Sequence, residues 1–276
     1  SLKGIISMNN PNYKGSNRSL NASLESIVTD RLTNFGYKSN KTGFSVGSGF
    51  EFYDDLYWNT GISSYVEKLD TDSTASASMK KQEGSYFDTF FNHTFRYDKR
   101  DQKYKTSDGY ISRFTQNIPL ISDSYTLTNS YDYKVYNQWL DENVLSFGFF
   151  VKTSNSLSGK DIKLSDRLYL PASKLRGFES GKVGPKDGAD YIGGNYAASI
   201  NIATSLDQIL PNLQNTNFSI FFDAANVWGI DYSSSLSDES KIRSSVGIAV
   251  DFFTPVGPLN FSLSEPITKG KNDITE

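Results

Sequence analysis

The chain has 276 residues, 37% of them hydrophobic, and a formal net charge of -3; no stretch approaches the roughly 18 consecutive apolar residues of a membrane helix, so a helical membrane protein is excluded. The slight acidity argues against a general nucleic-acid binder, which normally carries a basic face. Cysteine is absent and histidine occurs once, as His93, which removes disulfides, thiolate metal sites and Cys nucleophiles and leaves little for a His-based triad or a zinc site.

Aromatic usage, with 17 Tyr and 19 Phe against 2 Met, favours strands over helices. The chain opens on Ser1 with no basic-then-apolar leader, and it reads as a fragment. Alternating runs begin near residues 2, 19, 31, 42, 56, 86, 110, 124, 143, 195, 217, 241 and 258, about thirteen in all, many near the length of a tilted membrane strand. Tyr131, Tyr133 and Val135 alternate with Asp132 and Lys134, and Leu145, Phe147, Phe149 and Val151 with Ser146, Gly148 and Lys152. Ile200 and Ile202 alternate with Ser199 and Asn201, and Val246, Ile248, Val250 and Phe252 with Ser245 and Asp251. Each run therefore has one apolar and one polar face. Two segments break the rhythm: the polar stretch 70–84, and the Gly-, Lys- and Asp-rich connection 158–194. A loop of that second length is usually functional or disordered.

Two all-β architectures fit. A soluble sandwich would bury its apolar faces together, whereas a transmembrane barrel would turn them to lipid and line its lumen with the polar ones. The polar faces carry Glu25, Glu51, Asp88, Arg96, Asp132, Lys134, Lys152, Asp223, Arg243 and Asp251, many near strand centres, which favours the barrel. Tyr53, Trp58, Trp139 and Trp228 fall near strand ends, as interfacial girdles require.

Inside the long connection stand Leu175-Arg176-Gly177-Phe178, Gly184-Pro185, Asp187-Gly188 and Gly193-Gly194-Asn195. Phe221-Phe222-Asp223-Ala224-Ala225-Asn226-Val227-Trp228 and Thr254-Pro255-Val256-Gly257-Pro258-Leu259 follow, and Tyr97-Asp98-Lys99-Arg100-Asp101 with Thr106-Ser107-Asp108-Gly109 precedes. This ordered set resembles the C-terminal barrels of the BamA family, within the bacterial surface antigen superfamily of outer-membrane assembly and secretion proteins. The resemblance is strongest from Ser165 to Ile267.

The resemblance implies a sixteen-stranded transmembrane antiparallel β-barrel, of which about 13–14 strands would lie in this fragment, as a single domain over 1–276. It implies that the periplasmic domains and the first and last strands lie outside the chain, and that the long loop folds into the lumen with its Arg-Gly-Phe tip on the inner wall. Asp223 takes the lumenal parity and could meet Arg176 bidentately. Gly177 would allow a close turn, Phe178 would pack beside the contact, and Gly184, Gly188, Gly193 and Gly194 are the loop glycines. Where relatives carry a second acidic wall residue the matching strand has none. Asn201 has the lumenal parity there and could only accept a neutral hydrogen bond. Residues 28–42 are short for the family pattern, which leaves the strand number open.

The implied function is non-enzymatic: the barrel of an insertase that folds client outer-membrane β-barrels. Its partners would be those clients, accessory assembly lipoproteins and the lipid bilayer, with no nucleic acid, no cofactor and no metal, in the outer membrane of a Gram-negative bacterium. A translocation or secretion pore of the same superfamily and a soluble β-sandwich binding protein are the alternatives. His93 shares parity with Phe87, Phe91 and Phe95, so it should face outward, and no catalytic residue is assigned.

Overall fold

The computed structural model describes residues 2–140, 143–206, 216–238, 240–254 and 257–276. The strands are β1 Leu2–Asn10, β2 Ser19–Arg31, β3 Tyr37–Tyr53, β4 Leu56–Thr71, β5 Gly84–Asp98, β6 Gly109–Ser122, β7 Thr126–Leu140 and β8 Asn143–Ser156. After a two-stranded ribbon of β9 Lys186–Asp187 and β10 Asp190–Tyr191 come β11 Tyr196–Ser205, β12 Thr216–Trp228, β13 Arg243–Thr254 and β14 Gly257–Thr268. Twelve of these form one sheet in which each strand pairs with its sequence neighbour, and β8 pairs with β11 across the ribbon. All these pairings are antiparallel. No helix among the described residues is long and apolar enough to cross a membrane.

The runs expected to begin separately near residues 31 and 42 are one strand, β3. Between β2 and β3 lies only a tight turn at Leu32–Phe35 closed by Gly36 at φ +71°, a left-handed angle that glycine adopts without strain. Residues 28–42 thus form the end of a continuous hairpin, with Arg31 opposite Tyr37. In the motif Thr254–Leu259, Pro255 and Val256 lie outside the described residues.

Alternation sorts the two faces. Phe44, Val46, Ile62, Val66, Ile200, Ile202, Ile220, Val246 and Ile248 are exposed on the outer surface, while Asp223, Ser245, Ser199 and Ala249 on the opposite parity are buried. The buried side is the lumen, and what buries it is the chain's own long loop. Ile248 sits mid-strand opposite Ile220 and Leu263. Ile248→Arg is therefore expected to destabilise the barrel by about 2–4 kcal/mol if its depth is the bilayer midplane, read from unfolding in lipid. Asp251→Cys, which borders the lumenal cavity, should react with a polar thiol reagent, and Ile248→Cys should behave as a lipid-facing site.

His93 lies on the outer face among Phe91, Phe95 and Phe114. It hydrogen-bonds Gln116 at 3.1 Å, and the line continues from Gln116 to Asn129 at 2.6 Å and from Asn129 to Thr153 at 3.2 Å. Asn92 points the other way and donates to Ser63. His93 is thus one member of a cross-strand polar row.

Candidate functional site: the loop docked in the lumen

The connection between β8 and β11 enters the lumen through two short 3-10 turns, Leu164–Asp166 and Ala172–Lys174. The second delivers Arg176 to the β12 wall. Its guanidinium is bidentate on Asp223, with Nε to Oδ2 and Nη2 to Oδ1 both at 2.7 Å, and its backbone N–H donates to Oδ2 at 3.1 Å. Asn201 Nδ2 adds a fourth donor, to Oδ1 at 2.7 Å. A carboxylate has about four acceptor positions, so this one is saturated, as a fully buried charge must be. The guanidinium also stacks 3.3 Å from the centre of the Phe221 ring, a placement that adds cation–π attraction.

Asn201 plays a role other than the one its sequence position suggested. It donates to Asp223, and also to the Lys174 carbonyl at 3.1 Å, instead of accepting from Arg176. The register explains this: Asn201 and Asp223 are directly opposite on β11 and β12, where a second carboxylate would repel the first.

Gly177 has φ +84°, and a Cβ there would come 2.8 Å from Ser264 Oγ, so the tip requires glycine both for its angle and for its approach to β14. Phe178 is buried with Phe150, Leu168, Leu170, Leu175, Val183, Ala197, Ala225 and Val227. Gly184 donates its N–H to Asp273 at 3.1 Å, Gly188 turns the β9–β10 ribbon, and Gly193 and Gly194 bring the chain back against Leu168 and Trp228.

The cationic side chains of Lys174, Arg167 and Lys163 also hold this loop. Lys174 pairs with Asp132 on β7, and Arg167 pairs with Asp231 in the β12–β13 connection. Lys163 lies between Glu67 on β4 and Asp88 on β5, 2.7 Å from each. The segment after β14 adds another anchor. Asp273 binds Arg243 at the start of β13, with Nε to Oδ2 at 2.8 Å and Nη2 to Oδ1 at 3.1 Å. Thr275 pairs with Phe178, and the Glu276 N–H donates to the Gly177 carbonyl at 3.2 Å. Between the loop and the walls remains a lumenal cavity of about 670 Å³, bordered by Asp132, Lys134, Lys174, Arg176 and Asp251.

With this geometry in view, the comparison with known families is decisive: the Omp85 superfamily domain matches residues 2–276. The chain belongs to the Omp85 superfamily. Among curated Omp85 relatives, the outer membrane protein assembly factor BamA of Neorickettsia risticii is 24% identical over 245 residues, covering 86% of this chain and 33% of that protein. The sorting assembly machinery 50 kDa subunit of Saccharomyces cerevisiae is 25% identical over 215 residues, covering 72% and 43%. The chain thus spans between a third and a half of the length of these two relatives. The crystal structure of Haemophilus ducreyi BamA lacking POTRA domains 1–3 superposes with a TM-score of 0.85 at 23% identity, covering 99% of this chain and 60% of that one. The fold is accordingly the Omp85 transmembrane β-barrel.

Within that barrel the sequence reading reached Arg176, Gly177, Phe178, Asp223 and Asn201 but missed the loop's other attachments. One signal was present. Phe149-Phe150 and Phe221-Phe222 put aromatics on both parities, and the inward members, Phe150 and Phe221, are the ones that meet the loop. Nothing comparable marks Lys163, Arg243 or Asp273, because charges on a lumenal face look the same whether they meet water or a buried partner.

Proposed function

We propose that this chain, as a single domain over residues 1–276, is the membrane barrel of an outer-membrane insertase that folds and inserts client β-barrel proteins. The observation that carries this is the loop held inside the lumen by the bidentate Arg176–Asp223 contact. A lumen occupied by an anchored, apolar-packed loop is poorly suited to free passage, which leaves the wall and its edges as the working surface. Open strand edges offer main-chain donors and acceptors to an incoming strand, and client folding would supply the driving free energy.

The names of the relatives, assembly factors and a sorting and assembly subunit, agree with this reading. We place the protein in the outer membrane of a Gram-negative bacterium, working with accessory assembly lipoproteins, and assign it no catalytic residue, cofactor or metal. Arg176 and Asp223 are its lumenal dock, with Asn201 in support and the loop glycines shaping the turn.

The test is reconstitution of the complete protein in liposomes. Unfolded client barrels should gain their heat-resistant folded form faster than in empty liposomes, and single-channel records should show little steady conductance. A large steady conductance with no acceleration of client folding would identify a translocation pore instead.

A further inference from the structure

The Lys163 ammonium is 2.7 Å from both Glu67 Oε2 and Asp88 Oδ2 and 3.6 Å from Asp166 Oδ2. The Lys163, Glu67 and Asp88 side chains are each only 4% exposed. The carboxylate oxygens turned away from Lys163 are occupied too: Ser39 donates to Glu67, and Ser122 and Ser124 donate to Asp88. Tyr86 lies under the ammonium at 5.0 Å. Burial opposes the charge on Lys163, yet Asp166, Glu67 and Asp88 outweigh it and raise its pKa. The next residue is fixed as well, since the Leu164 N–H donates to Gln82 at 3.0 Å and its side chain is buried with Tyr37, Leu69, Met79 and Ile192.

Without this cation, two carboxylates on adjacent strands would face each other in a site closed to water, where neither charge is solvated or compensated. The cluster is thus built around a loop residue, although β4 and β5 supply the carboxylates. The Arg176 dock lies on β11 and β12, with β6, β7 and β8 standing between it and β5 in the sheet. Lys174 meets β7 between the two.

We propose that Lys163 is a positioning residue for client insertion: it ties the loop's entry to the β4–β5 wall, so that the loop braces the lumen from that wall to β12 and presents Arg176 to Asp223. A sheet alone can change its curvature, but a brace tied at both ends fixes the separation of the strands it joins. The activity part of this inference rests on the insertase reading, whereas the tether itself is measured separately.

The experiment uses the complete protein in liposomes with Ser165→Cys as reporter. The described chain has no native cysteine, and the Ser165 hydroxyl is buried and without a hydrogen-bond partner. The variants are Lys163→Met, Lys163→Arg, and the triple Lys163→Met/Glu67→Gln/Asp88→Asn, which removes the tether together with the two carboxylates that it bridges at 2.7 Å. Expected for the triple is a heat-stable barrel with several-fold faster maleimide labelling at position 165 and several-fold slower client insertion. Lys163→Arg, which can still bridge both carboxylates, should keep labelling and insertion near the parent values, an outcome that side-chain volume alone would not give. Unchanged labelling in the triple overturns the tether. Faster labelling with parental insertion overturns the positioning role. If the parent protein itself inserts no client, the insertase reading fails, and labelling still decides the tether.

Discussion

Asp223→Ala is expected to release the loop tip and to lower the stability of the docked barrel by about 3–5 kcal/mol, the range for breaking a buried ion pair and leaving its partner behind. Arg176→Ala should cost a similar amount for the complementary reason. Asp223 is fully buried, while the Arg176 side chain is 19% exposed, so the stranded carboxylate would keep only Asn201 and the backbone N–H of residue 176 as donors. The double variant strands neither charge. Its loss should therefore fall short of the sum of the two singles, with a coupling of about 0.5–3 kcal/mol for residues in one network. Denaturant titration of the reconstituted protein, followed by loss of the heat-modifiable folded form, measures all four members of the cycle. Strict additivity would mean that the contact contributes nothing as a pair.

The second large effect is expected at Asp273. Its side chain is 1% exposed and that of Arg243 is 0% exposed, and the carboxylate also accepts from the N–H groups of Gly184 and Gly270. One residue thus joins the long loop, the start of β13 and the segment after β14. Asp273→Ala takes a bidentate carboxylate from Arg243, while the Asn226 side chain and the Lys241 carbonyl remain among its acceptors. A loss of about 3–5 kcal/mol is expected, the range for removing one partner of a buried ion pair. Because residues 274–276 follow the loop tip through backbone contacts to Gly177, Glu179 and Lys182, protease sensitivity near both the tip and residues 270–276 should rise together. Asp273→Asn, whose single amide oxygen can still accept from one of the two glycine N–H groups, should show a smaller rise. Sensitivity confined to one of the two segments would show that they are not joined through this residue.

Much of the barrel wall was legible because a two-residue period is a property of each strand alone. Val246, Ile248, Asp223 and Ser245 fall on the faces that their parity requires, and no knowledge of neighbours was needed. The β2–β3 boundary was less legible, since a turn at Leu32–Phe35 closed by one glycine looks like the break between two runs. The candidate site divides along the same line. Arg176 and Asp223 could be matched through a family pattern and a parity. Lys163 with Glu67 and Asp88, or Arg243 with Asp273, required knowing which distant segments share the lumen. Asn201 shows the finer limit: its place on the wall was correct, but its donor role follows from the β11–β12 register, which sets it against Asp223.

The most direct test of the docked loop as a working part of an insertase is the initial rate of client-barrel insertion by the complete protein in liposomes, compared between the parent and Asp223→Asn. This substitution keeps size and shape, removes the charge that Arg176 grips and turns one of the two acceptor oxygens into an N–H donor. The expected result is a barrel that remains folded but inserts clients several-fold more slowly, with the loop tip newly open to protease. Insertion at the parental rate with the tip released would contradict the account.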